Sequence, residues 1–225
     1  MKTTTIVSLF FVGLSLGSPI NFEAREPEAV AELEARQFTG TGVTANELKN
    51  GPCKPVTYIF ARGSTELGNL GQTVGPALAN QLKSQFDVAV QGVDYPASLT
   101  TNFFGGSLVG ISEMRDMFNL AASKCPDTII VGGGYSQGAA LTHRSVEDLS
   151  SSVRNRIAGI VTFGDTYNLQ SGGRIPGLPQ EKLRIICNTG DLVCAGTLII
   201  ALPHLDYVRR VPEAVSFLAG RIRAT

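Results

Sequence analysis

Residues 128–138 of this chain, TIIVGGGYSQG, place a short apolar run before a serine that has a glycine two positions away on each side. The β-branched residues from Thr128 to Val131 predict a strand, and residues 137–149 predict a helix. Gly-x-Ser-x-Gly between a strand and a helix is typical of a sharp turn that exposes the serine hydroxyl to a substrate. The bare pattern also fits an ordinary tight turn, but its flanks favour Ser136 as a nucleophile.

The first 36 residues are predicted to be absent from the mature protein. Residues 1–17 combine Lys2, an apolar stretch too short to span a bilayer and small residues near Gly17, which is typical of a signal peptide. Residues 18–36 are acidic and poor in large apolar groups, so we expect a propeptide, with an ordered helix as the alternative. Gln37 is then a plausible mature start, and the protein is expected to be secreted.

Residues 37–225 have a length that fits a single catalytic domain. The full chain carries 19 Lys and Arg against 19 Asp and Glu, without a basic run, so nucleic acid is not an expected partner. No later segment has about 18 consecutive apolar residues, so we expect no stable membrane association. Nothing in the sequence indicates an oligomer, and a monomer is expected.

Four cysteines in a secreted chain predict two disulfides. Cys187 and Cys194 are close together and flank a turn-rich stretch, so we pair them with each other. Cys53 is then left to pair with Cys125. A metal site is the alternative, but the chain has no Cys-x-x-Cys and only two histidines.

Apolar runs alternate with helical patterns from residue 53 onward, which predicts a parallel sheet with helices on both faces. The strands are expected at residues 56–61, 88–93, 128–131, 157–163 and 183–187, and the helices at residues 74–86, 108–122, 137–149 and 212–222. The fold class is therefore a three-layer α/β sandwich of the hydrolase type, with its site at the carboxyl ends of the strands.

A serine nucleophile needs a base within hydrogen-bonding reach, and the chain has two histidines. His143 lies two helical turns after Ser136, about 10 Å along the axis, so its ring cannot approach the serine oxygen. It is predicted to be a partly exposed helix residue instead. His204 is therefore the candidate base. It follows Pro203, which favours an extended or turning backbone, so His204 is predicted to lie in a loop. The apolar segment around it suits a site for acyl chains; the alternative is a buried core histidine.

A carboxylate should orient the imidazole, and the expected chain order is serine, acid, histidine. The acids between Ser136 and His204 are Glu147, Asp148, Asp165, Glu181 and Asp191. The first two lie late on a helix and are expected to face solvent, and Glu181 lies in a polar connection. Asp165 is a competitor because it follows a strand directly. Asp191 is favoured, because it lies in the loop between Cys187 and Cys194.

Two backbone regions could supply hydrogen bonds to an oxyanion. One is the N–H of Gln137, the residue after the candidate nucleophile. The other is the loop from Ala61 to Glu66, where Ser64 offers an N–H and a hydroxyl. By itself this loop fits an ordinary surface turn equally well.

Taken together, these motifs resemble the fungal cutinases. The stretches that carry the resemblance are GGYSQGAA at 133–140, FARGSTE at 60–66, CNTGDLVC at 187–194, NLQ at 168–170, GRIP at 173–176 and ELEARQ at 32–37. It covers nearly the whole chain and implies a lidless serine esterase with a five-stranded, mostly parallel sheet. No metal or organic cofactor is implied, and the expected substrates are the polyester cutin and small soluble esters.

The resemblance also implies residue roles. Ser136 would be the nucleophile, His204 the base, Asp191 the acid, and Ser64 and Gln137 the oxyanion hole. Five residues would belong to the substrate groove. Leu99, Leu198, Ile200 and Leu205 would form its apolar lips, and Asn102 would also hold Ser64 in place. Ordinary core or helix packing is the alternative for the groove residues.

Two features depart from the pattern of that family. Asp165 stands where the family commonly has tyrosine, and the segment between Asn102 and Glu113 is slightly shorter.

An acetylxylan esterase on the same scaffold is the nearest rival function, although such enzymes usually have more cysteines and a more polar pocket. A non-catalytic secreted binding protein is a further alternative.

Overall fold

The computed structural model describes residues 40–225. The predicted signal peptide (1–17), propeptide (18–36) and mature start at Gln37 lie outside the described residues. No helix within the described range is long and apolar enough to cross a membrane.

Five strands form one sheet in the order β2-β1-β3-β4-β5. Their bounds are Val56–Ala61 for β1, Val88–Gly92 for β2, Ile129–Tyr135 for β3, Ile157–Phe163 for β4 and Leu183–Ile186 for β5. Every pair of neighbouring strands in this sheet is parallel. Helices connect the strands and cover both faces, which confirms the predicted fold class.

The longer helices form the two outer layers. Across the described residues the α-helices are α1 (Glu47–Asn50), α2 (Val74–Lys83), α3 (Leu108–Lys124), α4 (Gln137–Glu147), α5 (Ser151–Arg154), α6 (Asn168–Ser171), α7 (Leu202–Leu205) and α8 (Val211–Arg223). Short 3₁₀-helices span Leu99–Phe104, Gln180–Lys182 and Val208–Arg210. Apolar side chains of α2 and α8 pack on one face of the sheet, and those of α3 and α4 pack on the other.

Alternate residues of β1 divide between the two cores. Tyr58 and Phe60 belong to the core under α2 and α8, whereas Ile59 and Ala61 belong to the core under α3 and α4. Successive side chains of a strand point to opposite faces, and all four are fully buried. A strand covered on both faces therefore reads as a continuous apolar run, which is why β1 was predicted at its observed bounds.

Strand β3 continues four residues beyond its predicted end, through the glycines that precede the serine turn. A Cβ on Gly133 would lie 1.9 Å from the carbonyl oxygen of Val161, and one on Gly132 would lie 2.9 Å from that of Ile59. The neighbouring strands thus leave no room for a side chain. Glycine has a low strand propensity, so the predicted strand ended before these glycines, although close packing of the neighbouring strands requires them.

Two disulfides join the predicted pairs. Cys53 bonds Cys125 across 72 residues and ties the segment before β1 to the end of α3. Closing a loop of that length stabilises the fold by about 4 kcal/mol on a chain-entropy model. Cys187 bonds Cys194 across 7 residues and closes the loop after β5.

Candidate active site

Ser136 lies in a strained turn between the end of β3 and the start of α4. Its φ of 55° is a left-handed conformation that non-glycine residues rarely adopt. The turn is held because the Ser136 N–H donates to the Phe163 carbonyl at 2.9 Å. On its far side, a Cβ on Gly138 would lie 2.0 Å from the Ala61 carbonyl oxygen, so only glycine lets α4 approach β1 this closely. Strain of this kind costs about 1–3 kcal/mol and is typical of functional positions.

The structure brings the three predicted side chains into one hydrogen-bonded chain. The Nε2 atom of His204 lies 3.0 Å from the Oγ of Ser136, and its Nδ1 lies 2.9 Å from the Oδ2 of Asp191. All three residues are at most 7% exposed. An imidazole between a hydroxyl and a carboxylate can take the proton from the hydroxyl while the carboxylate stabilises its charged form.

Asp191 is fixed by its own loop and by a tyrosine that sequence reasoning missed. The Val193 N–H donates to Asp191 Oδ1 at 3.0 Å, and the Tyr207 hydroxyl donates to Oδ2 at 2.6 Å. Burial, together with the bond to Asp191, raises the pKa of Tyr207 above its ordinary value. The hydroxyl therefore stays protonated and remains a donor. Tyr207 lies two residues beyond the end of α7 and contacts a residue 16 positions earlier in the chain, so no local pattern indicated it.

Asn188 couples the acid loop to the histidine segment. Its Nδ2 donates to the carbonyl oxygens of Pro203 at 2.8 Å and Asp206 at 2.9 Å, one on each side of His204. The disulfide from Cys187 to Cys194 brackets the same loop. The Cys187–Cys194 disulfide and the hydrogen bonds of Asn188 thus set the position of the Asp191 carboxylate relative to the His204 imidazole.

Two neighbours position the ring of His204. The Tyr135 hydroxyl donates to the His204 carbonyl at 2.7 Å, and the two rings stack with centroids 5.5 Å apart. A Cβ on Gly164 would lie 2.8 Å from Cε1 of the imidazole, so glycine is required for the ring to fit. His204 lies in α7, although a loop was predicted there from Pro203. Proline is tolerated in the first turn of a helix, which explains the difference.

The Ser64 hydroxyl is held by two side-chain amides. Asn102 Nδ2 and Gln137 Nε2 each donate to Ser64 Oγ at 3.0 Å. Because these donors occupy the oxygen, its own proton is available for a third group. Thr101 donates to Gln137 Oε1 at 2.9 Å, which orients that amide. The backbone N–H of Gln137 is at the start of α4, where N–H groups have no partner within the helix.

The loop that carries Ser64 is anchored rather than an ordinary surface turn. Arg62 is 7% exposed, and its guanidinium donates to the carbonyl oxygens of Glu66 at 2.8 Å and Tyr95 at 2.7 Å. The Gly63 N–H donates to the Glu66 carboxylate at 2.7 Å. This network fixes the loop before any substrate is present.

A groove of about 300 Å³ opens beside Ser136 and His204. Four of the predicted groove residues line it: Leu99, Asn102, Leu198 and Ile200. Sequence reasoning missed three other lining residues, Phe103, Thr166 and Val193. Phe103 lies one residue after Asn102, on the same 3₁₀-helix, and is 75% exposed.

Leu205 does not line this groove and corrects the prediction. It is 60% exposed on α7. Successive helix residues point about 100° apart. With the His204 ring directed at Ser136, the Leu205 side chain projects in a different direction and is absent from the groove lining.

His143 corrects a second prediction, because it is 1% exposed instead of partly exposed. Its Nε2 lies 2.7 Å from Oδ2 of Asp165, which also accepts from the Thr162 hydroxyl at 2.8 Å. The competing acid therefore binds the other histidine and not His204. Helix α4 is covered on almost every side, so periodicity could not reveal which of its polar residues is buried.

The strands of the sheet are parallel, and a serine with a positive φ lies at the carboxyl end of the central strand. A helix begins directly after it. This arrangement defines an α/β-hydrolase. Residues 52–222 match the family model described as Cutinase. The chain belongs to the cutinase family, whose members are carboxylic-ester hydrolases.

Individual relatives agree with this assignment. The chain is 51% identical over 204 residues to Cutinase CUT2 of Pyricularia oryzae, an alignment that covers 88% of this chain and 94% of the relative. A Trichoderma reesei cutinase, solved in complex with a phosphonate inhibitor, is 32% identical, with a TM-score of 0.74 over 87% of this chain and 84% of the other. An acetyl xylan esterase is 18% identical, with a TM-score of 0.57 over 76% of this chain and 99% of the other. That last likeness concerns the fold alone.

Proposed function

We propose that this protein is a secreted serine esterase that cleaves cutin and soluble short- to medium-chain esters. The observation that carries the proposal is the 3.0 Å contact between Ser136 Oγ and His204 Nε2, continued to Asp191. The relatives named as cutinases support the substrate class. The protein is proposed to act as a monomer, without nucleic acid, stable membrane association or an added cofactor.

The first half of the reaction acylates the serine. Ser136 Oγ attacks the ester carbonyl as His204 Nε2 takes its proton, which gives a tetrahedral oxyanion. The Gln137 N–H and the Ser64 N–H and hydroxyl are the proposed donors to that oxyanion. His204 then protonates the leaving alcohol, the ester C–O bond breaks and an acyl-enzyme remains.

The second half releases the acid. A water molecule gives a proton to His204 and attacks the acyl carbon, and the oxyanion forms again. Its collapse breaks the bond to Ser136 Oγ, which recovers its proton from His204. The imidazole of His204 thus acts as the proton acceptor, and then as the proton donor, in both halves of the reaction.

The lining of the groove supports esters with an apolar chain. Leu99, Leu198 and Ile200 are 50%, 41% and 51% exposed beside the nucleophile. Exposed apolar side chains around a polar centre favour a substrate that is itself apolar. A polar acetylated polysaccharide would leave this surface uncovered, so the acetylxylan rival is disfavoured.

Replacement of Ser136 tests the mechanism. We expect Ser136→Ala to lower kcat for a nitrophenyl butyrate by at least about 1,000-fold, because it removes the hydroxyl that His204 contacts. Ser151→Ala, at an exposed position on α5, is the matched control and should keep full activity. Wild-type turnover by Ser136→Ala would overturn the proposed mechanism.

Substrate class is tested separately with wild-type protein. Initial rates for acetate, butyrate and longer esters, with a cutin suspension alongside, should favour chains longer than acetate. A clear preference for acetate, with no release of cutin monomers, would support the acetylxylan rival instead.

A further inference from the structure

A second cavity of about 490 Å³ adjoins the groove beside the nucleophile. Four residues line both: Asn102, Phe103, Thr166 and Leu198. A chain lying in the groove therefore touches the wall of the second cavity. The proposed reaction gives no role to this second cavity.

The second cavity differs in chemistry from the groove. Its further polar lining comes from Arg144, Tyr167 and Gln170, and none of its lining residues is acidic. Arg144 is the charged group among them, and no carboxylate of the described residues lies within salt-bridge distance of it. A guanidinium that has no neighbouring carboxylate, in a partly enclosed site, favours the binding of an anion.

Arg144 uses only part of its donor capacity within the described residues. Its Nη1 donates to the carbonyl oxygens of Phe104 at 3.3 Å and Gly105 at 3.2 Å. A guanidinium has five N–H donors, so three remain after these bonds. The two bonds indicate a clamp on the loop after the 3₁₀-helix, and a clamp alone does not require the remaining donors.

The position of Arg144 on α4 sets the distance between the second cavity and the nucleophile Ser136. Ser136 immediately precedes α4, and Arg144 lies eight residues further along. Eight residues correspond to about 12 Å along a helix axis. Long helical side chains point back toward the N-terminus, which shortens the distance to the nucleophile. A chain of several methylene groups spans such a gap.

We propose that the second cavity binds the free carboxylate of a chain whose ester group lies at Ser136. The substrate class is half-esters of dicarboxylic acids and carboxylate-ended oligoesters. This inference rests on the proposed esterase function. Each hydrolysis of a polyester leaves a carboxylate-ended fragment, so the site would retain fragments for further cleavage.

The test compares two esters of equal acyl chain length, monobutyl suberate and butyl octanoate, each kept below its solubility limit and at a pH where the carboxylate is ionised. We expect Arg144→Gln to lower kcat/KM for the half-ester by about 10- to 100-fold, the value of a charge-assisted hydrogen bond. The neutral ester should change less than about threefold. Arg144→Lys keeps the charge and should keep most of the preference. Arg115→Gln, on α3 and outside both cavities, is the control.

A parallel pair of esters carries the carboxylate on the alcohol side. A selective loss of kcat/KM for the charged ester in either pair supports the proposal, and it shows whether the acyl or the alcohol side reaches the second cavity. The preference should also weaken with added salt. Equal losses for charged and neutral esters would mean that Arg144 is only a clamp, and unchanged rates would mean that it binds no substrate; either result overturns the inference. Failure of Ser136-dependent hydrolysis of butyl octanoate would instead reject the proposed function.

Discussion

Tyr207 is the single residue outside the predicted site that bears most directly on the proposed mechanism. It donates to the same oxygen of Asp191 that faces His204 Nδ1, at 2.6 Å. It also accepts from the Asn188 N–H at 2.9 Å. The hydroxyl thereby fixes the orientation of the carboxylate while the imidazole gains and loses charge.

We expect Tyr207→Phe to lower kcat by about 10-fold, because a hydrogen bond to a charged group contributes about 1.5–3 kcal/mol. KM for a soluble ester should change little, since Tyr207 does not line the groove. Steady-state kinetics with a nitrophenyl ester gives both constants. Tyr58→Phe is the matched control, because the Tyr58 hydroxyl is buried with no partner among the described residues. An unchanged kcat in Tyr207→Phe would remove this residue from the mechanism.

At the scale of elements, the turn after β4 connects both histidines to the nucleophile. Gly164 lies against the ring of His204, and Asp165 binds His143 on α4. The Thr166 hydroxyl donates to the Ser136 carbonyl at 3.3 Å. The turn therefore joins β4, α4 and the serine turn into one rigid assembly.

Removing one partner of the pair formed by His143 and Asp165 should loosen this assembly. We expect His143→Leu to lower the free energy of unfolding by about 3–5 kcal/mol, because it leaves Asp165 buried without its partner. The double variant with Asp165→Leu should recover part of that loss, because it removes both polar groups. Urea unfolding of the single and double variants measures the coupling. Additive losses in the double variant would contradict a coupled pair.

At the scale of the molecule, four tyrosines are buried in or beside the core: Tyr58, Tyr95, Tyr135 and Tyr207. Burial raises the pKa of each above its ordinary value. In the unfolded chain each would ionise near pH 10. The stability that these groups contribute is therefore fully present below about pH 10 and is lost as the pH rises toward their folded pKa values.

We expect the free energy of unfolding to fall above about pH 10, by up to about 1.4 kcal/mol per pH unit for each of these tyrosines. Urea unfolding at a series of alkaline pH values measures the slope. Tyrosinate absorbance from these residues should appear together with the loss of far-ultraviolet circular dichroism. In the Tyr58→Phe variant, the free energy of unfolding should fall less steeply with pH, by the contribution of one ionising group. Ionisation of all tyrosines near pH 10 in a still folded protein would refute this expectation.

Much of this molecule could be predicted from sequence because the signals are local. Strands β1 and β4 have their predicted bounds, since strands buried on both faces leave continuous apolar runs. The glycine–serine turn indicated where a nucleophile could lie, and the remaining histidine indicated its base. The confirmed fold class and family follow from motifs of a few adjacent residues each.

The sequence by itself therefore determined the order of strands and helices, the disulfide partners and the residues proposed for the reaction. Tertiary structure alone decided that His143 is buried with Asp165, that Leu205 does not line the groove and that Tyr207 supports Asp191. It also decided that Arg144 borders the groove through shared walls. The pairing of His143, the role of Tyr207 and the position of Arg144 depend on contacts between residues distant in the chain, and periodicity and composition carry no record of such contacts.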